Sequence, residues 1–376
     1  MVRRGHGVSF VAPQELAAPV AASGAELITY PSIWPSVFWP NPQVEIPADA
    51  VAWAPLIFLL EGRAATTAAR IAVGAGPLPD LIVYDATVGH MARVLAREWE
   101  IPAAQLVVTF AANQNVSPIT PLGPVEGHPA LAAYRAATTD VLSAHGLSDL
   151  DFDGFSGPGE DLSIVLLSRE FQIAGETFGD RFRFVGAALD PGGGHSSSSA
   201  CWEPPSDGLP LLFADLGAFG DRRPEMIRAC VDAFARQPWR VVIAVGDRVD
   251  PAVEAGLSAN IEIYRDVRAS DALPGASVFL AHAGMGSATG AQHFGVPMVA
   301  VPLTPEQRTI AERVVEMRLG SLLEPGPFTA ERVRETVLVV SYDERLRGGV
   351  NTMRRHSDRA GGVVAAADAL LAIPVP

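Results

Sequence analysis

The sequence predicts an α/β protein of two doubly wound, Rossmann-like domains. Short apolar runs of strand length alternate with longer segments of helical periodicity along almost the whole chain. A Gly/Ser tract, Pro191-Gly192-Gly193-Gly194-His195 followed by Ser196 to Ser199, has nothing to offer a core and divides the alternation into two halves. The 376 residues, 48% hydrophobic and 19% charged, suffice for two buried cores. The expected boundaries are residues 1–190 for the first domain, 191–205 for the linker, 206–350 for the second domain and 351–376 for a C-terminal helix crossing back to the first.

In the first half, Arg3 to His6 reads as a helix end turning into a strand at Val8 to Val11. Gly24 stops a helix before a second strand that ends near Tyr30. Pro31 to Pro55 gathers Trp34, Phe38, Trp39 and Trp53 among prolines, which makes rigid apolar walls. Those aromatics line a pocket for an apolar ligand or pack the loop onto its domain; the two readings stand level. Leu56 to Gly74 has a helical pattern. Asp80 to Asp85 is a strand ending in a carboxylate, with a helix from Val88 to Glu100 behind it. Strands at Gln105 to Thr109, Leu162 to Leu167 and Phe182 to Gly186, and a helix at Pro129 to Ala144, complete the half. The second half repeats the alternation, with strands at Pro210 to Asp215, Trp239 to Val245, Ile261 to Tyr264 and Val278 to Ala281. Its helices are expected at Arg223 to Arg236, Thr304 to Met317, Ala330 to Ser341 and from about Asn351 to Leu371.

Composition excludes several functions. A net charge of −14 argues against nucleic acid and anionic membranes as partners. All 28 basic residues are Arg, so neither a Walker lysine nor Schiff-base chemistry is available. Cys201 and Cys230 have no metal-ligand spacing and suggest a reducing compartment, hence a cytoplasmic location. Arg3 and Arg4 run into Gly and His rather than an apolar core, so no signal peptide is expected. Asp149-Leu150-Asp151-Phe152-Asp153 lacks a preceding buried strand and reads as an acidic loop. Neither a Gly-x-Ser-x-Gly elbow nor a His-Glu-x-x-His pair occurs.

The stretch with most chemistry in it runs from Ser277 to Gln307. A buried-strand run, Val278 to Ala281, turns at His282-Ala283-Gly284-Met285-Gly286-Ser287 into small residues able to form a helix, and a second strand starts at Met298. Strand, glycine turn, helix is the α/β way to build an anion site. Glycines let the backbone approach a phosphate and the free amides of the helix start point at it. The dinucleotide fingerprint lacks its third glycine here, which weakens an oxidoreductase reading.

That stretch, with Gly295-Val296-Pro297 and Pro302 through Glu306-Gln307, resembles the nucleotide-sugar signature of the GT-B glycosyltransferases that decorate macrolides and other antibiotics, the oleandomycin type above all. Asp80 to Asp85 with Ala92 to Ala96, Phe184-Val185-Gly186, Leu216-Gly217 and Arg228 to Phe234 also look like that family. The resemblance implies two such domains facing a cleft and an inverting hexosyl transfer. The donor is a UDP- or dTDP-linked sugar, perhaps a deoxysugar; the acceptor is a hydroxyl of a hydrophobic natural product such as a macrolide. It assigns the donor diphosphate to His282, Gly284, Gly286, Ser287 and Gly217, the donor sugar to Glu306 and Gln307, and a catalytic role to Asp85; on the pocket reading of their loop, Trp34, Phe38, Trp39 and Trp53 would take the acceptor. It implies no metal and no cofactor beyond the nucleotide sugar, and leaves a homodimer open.

The sequence also departs from the family. The strand and Gly-His-x-x-Pro-like loop that family members carry upstream of the position matching Arg3 to His6 are not in it, so Asp85 stands without the His it would orient. His6 falls at a turn, and His90 reads as a packing residue. Asp266-Val267-Arg268-Ala269 replaces the family's base-stacking Trp-x-Pro-Gln, Gly290 its ribose-binding Glu, and Ala218 a phosphate-binding Ser. These losses support the alternative of a catalytically impaired homologue that binds or activates a partner.

Overall fold

Every strand pair in the computed structural model is parallel, as strands separated by helical crossovers must be. The structure describes residues 1–32, 50–74, 76–87, 89–116, 127–147, 149–157, 159–189, 202, 207–216, 224–245, 257–265, 267–323 and 327–374. The chain divides into two compact units. Unit 1 comprises Met1–Leu166, Ala174–Val185 and Val363–Pro376; unit 2 comprises Leu167–Ile173 and Gly186–Gly362. Among the described residues no helix is long and apolar enough to cross a membrane.

Unit 1 contains β1 (Ser9–Pro13), α1 (Ala17–Ser23), β2 (Glu26–Tyr30), α2 (Ala54–Val73), β3 (Ile82–Asp85), α3 (Met91–Glu98), β4 (Ala103–Val107), α4 (Pro129–Ala144), α5 (Phe152–Ser156), β5 (Leu162–Val165) and β6 (Phe182–Phe184). Before β1, Val2–Arg4 makes one 3₁₀ turn that stops at Gly5 in the left-handed region, as the Arg-Arg-Gly-His run suggests. The strands form two sheets, β1-β2 and β3-β4-β5-β6. Phe10 on β1 and Val83 on β3 are exposed. Met91 and Val94 of α3, Tyr134 and Val141 of α4, Leu59 of α2 and Phe155 make the core on one side. The far face of β4 and β5, through Ala104, Leu162 and Ile164, is covered by Ala365, Ala366, Ala369 and Leu370 from the end of the chain.

Unit 2 contains β7 (Leu211–Asp215), α6 (Pro224–Phe234), β8 (Arg240–Ala244), β9 (Ile261–Tyr264), α7 (Ala269–Ala272), β10 (Val278–Ala281), α8 (Met285–Phe294), β11 (Met298–Ala300), α9 (Pro305–Glu316), β12 (Gly320–Leu322), α10 (Ala330–Tyr342) and α11 (Glu344–Ala360). Its sheet has the order β12-β11-β10-β7-β8-β9. The central strands are buried on both faces, which is why they read as unbroken apolar runs. Phe213 and Phe279 sit opposite each other in register and stack with centroids 5.2 Å apart. Ile227, Cys230 and Phe234 of α6 join Val333, Val337 and Val340 of α10 in one core. Burial pushes the Cys230 thiol up to about 12, so it packs as a small hydrophobe.

The expected single helix from Asn351 to Leu371 is two helices. Gly361 and Gly362 both take positive φ, 88° and 57°, and break it into α11 and α12 (Gly362–Leu371). Periodicity continues across this Gly-Gly pair, which is why the sequence pattern hides the break.

Candidate functional site

Strands β7, β8 and β9 run outward on one side of the unit 2 sheet, and the chain then returns to lay β10 on the other side of β7. The order reverses between β7 and β10. In an open parallel sheet the crevice for a ligand lies at such a point, outside the carboxyl ends of the strands. Asp215 ends β7 and pairs in register with Ala281, the last residue of β10, and Ala300 ends β11 beside it. His282 and the start of α8 therefore leave the sheet at the switch point.

The turn there has a tight local geometry. Ala283 takes a positive φ of 59°, rare outside glycine, and Gly284 is the N-cap of α8. A Cβ on Gly284 would lie 2.7 Å from His282 Nε2, so only glycine lets the backbone cross the imidazole there. Gly286 is exposed, and a Cβ built on it would meet nothing within 4 Å. Without a side chain on Gly284, no cap occupies the helix start, and its first amides are left for an anion. Burial lowers the pKa of His282, and the charge of Asp215 partly opposes that shift. The ring is thus biased toward the neutral form, which offers one N–H.

Residues 228–360 match the family described as Erythromycin biosynthesis protein CIII-like, C-terminal domain. The demethyllactenocin mycarosyltransferase of Streptomyces fradiae is 32% identical over 381 residues, covering 98% of this chain and 81% of that protein. The chain belongs to the family of antibiotic glycosyltransferases. The oleandomycin glycosyltransferase of Streptomyces antibioticus is 29% identical over 98% of the chain and 84% of its own length. Among solved structures, the calicheamicin glycosyltransferase CalG4 superposes with a TM-score of 0.84 at 36% identity, covering 99% of this chain and 91% of that one. The fold is therefore GT-B, and the protein is a nucleotide-sugar-dependent glycosyltransferase.

The remaining predicted residues of the glycosyltransferase fall in several places. Glu306 and Gln307 open α9, which packs beside α8. Gln307 is buried and completes a capping box: its Oε1 accepts from the Leu303 and Thr304 amides at 2.8 and 3.2 Å, while Thr304 Oγ1 accepts from its N–H at 3.3 Å. That leaves its Nε2 hydrogens as the donors it can offer a sugar hydroxyl. Asp85 ends β3 in unit 1, and its Oδ1 accepts from the Thr87 amide at 2.7 Å. The ring of Trp53 meets His128 edge-on, with centroids 5.9 Å apart. Gly217, Ala218, Trp34, Phe38, Trp39 and Asp266 lie outside the described residues.

At the positions where the sequence departs from its family, Val267 is buried and Arg268 is ion-paired to Asp271 at 2.8 Å. A Cβ on Gly290 would touch only Leu273 Cδ1, at 3.5 Å. His90 is the N-cap of α3, its ring 5.9 Å from Phe155, a packing position. Sequence reasoning missed Asp215. A carboxylate closing a buried strand next to Leu216-Gly217 hints at a purpose, but its partner His282 is set by the strand order.

Proposed function

We propose that this glycosyltransferase moves a hexosyl group from a UDP- or dTDP-linked sugar to a hydroxyl of a hydrophobic natural product of the macrolide type, with inversion. The acceptor oxygen forms the new bond to the anomeric carbon as the bond to the diphosphate oxygen breaks. The nucleoside diphosphate leaves with that electron pair, and the acceptor proton passes to a base. The uncapped start of α8, lying over a half-buried His282 biased toward its neutral form at the switch point, carries the reading. Helix amides and an imidazole N–H stabilise the charge that grows on the leaving diphosphate. Glu306 and Gln307 would hold sugar hydroxyls, and Asp85 would act on the acceptor side. The absence of a side chain at Gly290 favours a donor with fewer hydroxyl contacts, such as a deoxysugar.

The names of the relatives, a mycarosyltransferase and an oleandomycin glycosyltransferase, support an antibiotic acceptor. The reading needs no cofactor or metal, because the amides and His282 supply the diphosphate contacts. A cytoplasmic site of action goes with a nucleotide-sugar substrate, and the net charge of −14 goes with small-molecule partners rather than nucleic acid. Calorimetry with UDP and dTDP, followed by mass spectrometry of transfer to a panel of macrolide aglycones, tests it. Binding of neither diphosphate, and no sugar-shifted product with either donor series, would overturn it.

A further inference from the structure

Unit 1 holds a cleft of about 1100 Å³ whose lining residues all belong to that unit. It lies around the amino ends of β4 and β5, bounded by the last turn of α3, by α5 and by α12. Asp85 closes β3 at the opposite, carboxyl end of the same sheet. Its walls include Ile101, Pro102, Leu162, Ala365, Ala369 and Ile373, an apolar lining about as long as two turns of α12.

The charge in the cleft is one-sided. Five carboxylates, Glu100, Glu160, Asp161, Asp180 and Asp368, face three guanidiniums, Arg93, Arg97 and Arg183. Arg93 is fully spent. It donates to Glu160 at 2.7 Å, to the Tyr84 hydroxyl, and to the carbonyls of Gly154, Phe155 and Gly157, and the backbone of Gly159 lies against its guanidinium. Arg97 is paired with Asp149, and Asp368 with Arg4. Among the lining residues, Glu100, Asp161 and Asp180 are exposed, and Arg183 is the remaining guanidinium.

We propose that this cleft is a second ligand site, for an amine in its ammonium form carried on an apolar body. The acidic mouth selects the cation, and the alanine-rich face of α12 with Ile101 and Pro102 takes the body. None of its lining residues is among those assigned above to the donor or the acceptor, so the proposal stands or falls apart from the transfer reaction.

Three ligands with one apolar body and different charge separate the terms: phenylbutylammonium, phenylbutanol and phenylbutyrate, each titrated calorimetrically into the full chain. The ammonium should bind about tenfold more tightly than the alcohol, as expected for a unit charge near exposed carboxylates, with the carboxylate weakest. The preference should shrink to about twofold in the Asp161→Asn, Asp180→Asn double variant, whose exposed positions leave folding intact. Ala369→Trp should abolish binding of all three by filling the cleft. Saturating UDP or dTDP should displace none of them. No ammonium binding, equal binding of ammonium and alcohol, a preference that survives the double variant, or displacement by the diphosphates would each overturn the assignment.

Discussion

Asp215 stands one strand over from His282, in register with Ala281, and its charge holds up the pKa of an imidazole that burial drives down. The consequence for donor binding has a definite sign. As pH falls through the depressed pKa of His282 the ring gains a proton, and a cation beside a diphosphate binds it more tightly. Affinity for an intact nucleotide sugar, whose diphosphate carries no titrating proton in this range, should therefore rise on acidification. In Asp215→Asn the rise should shift to lower pH, because the opposing charge is gone. His282→Ala should remove the pH dependence and cost about 1.5–3 kcal/mol of binding. Calorimetry across the acidic range reads all three; a wild-type profile unchanged in His282→Ala would take His282 out of the site.

The two glycines of the turn should separate sterically. Gly284→Ala drives a methyl toward His282 Nε2, so the ring must move, and both nucleotide affinity and melting temperature should fall. Gly286→Ala meets no protein atom. Its melting temperature should stay near that of the wild type while nucleotide affinity drops, because the methyl occupies the space over the helix start. A Gly286→Ala protein that binds UDP and dTDP normally would move the diphosphate away from this amide.

Much of this was legible in the sequence because the physical cues are local. Val278 to Ala281 reads as a buried strand since both faces are covered, and the His-Ala-Gly-Met-Gly-Ser turn announces its helix start through its glycines. Pro129 to Ala144 was delimited to the residue by its proline and by the polar run after it. What stayed hidden depends on pairing in space. Asp215 acts on His282 only because β7 and β10 are neighbours, a fact of strand order that no spacing encodes. Gln307 looks in sequence like a free ligand to a sugar, yet its Oε1 is committed to a capping box. The separation of β1-β2 from β3-β4-β5-β6 likewise shows only once the partners of each strand are known.

The buried ion pair of unit 1 should be a stability determinant. Arg93 and Glu160 have side chains only 5% and 14% exposed, and Tyr84 OH shares the carboxylate at 2.7 Å. Desolvation is the largest reason the Tyr84 pKa is raised, with Glu160 adding to it, so the phenol stays a donor. Arg93→Met strands that carboxylate and three backbone carbonyls and should cost about 3–5 kcal/mol. Denaturant unfolding followed at unit 1 should show it; a loss under 1 kcal/mol would mean that solvent already satisfies the group.

Gln292 runs the other way. It is buried on α8, its Nε2 has no hydrogen-bond partner, and it lines a small void with Ala288, Ala291, Val314 and Leu319 that has no room for a water molecule. Gln292→Met keeps the volume and removes the unsatisfied donor, which should stabilise the protein by about 1–2 kcal/mol. Thermal unfolding should show a higher midpoint, with nucleotide affinity unchanged because the helix start is untouched. A lower midpoint would mean that the amide has a partner in solution.

Asp85 provides the test of the acceptor side. Its Oδ1 accepts the Thr87 amide, and a Cβ on Gly89 would lie 2.8 Å from the Asp85 carbonyl oxygen. Asp85→Asn keeps that acceptor and removes only the charge; Asp85→Ala removes both. If the carboxylate stabilises a proton-carrying partner during transfer, Asp85→Asn should lower kcat at least about tenfold with the melting temperature nearly unchanged. Asp85→Ala should lower both. Affinity for UDP and dTDP should not move in either variant, because the diphosphate site proposed at α8 is built from residues of unit 2 and Asp85 belongs to unit 1. Transfer to a macrolide acceptor at full rate in Asp85→Asn would show that the charge plays no part in the reaction and leave Asp85 as the cap of its own turn.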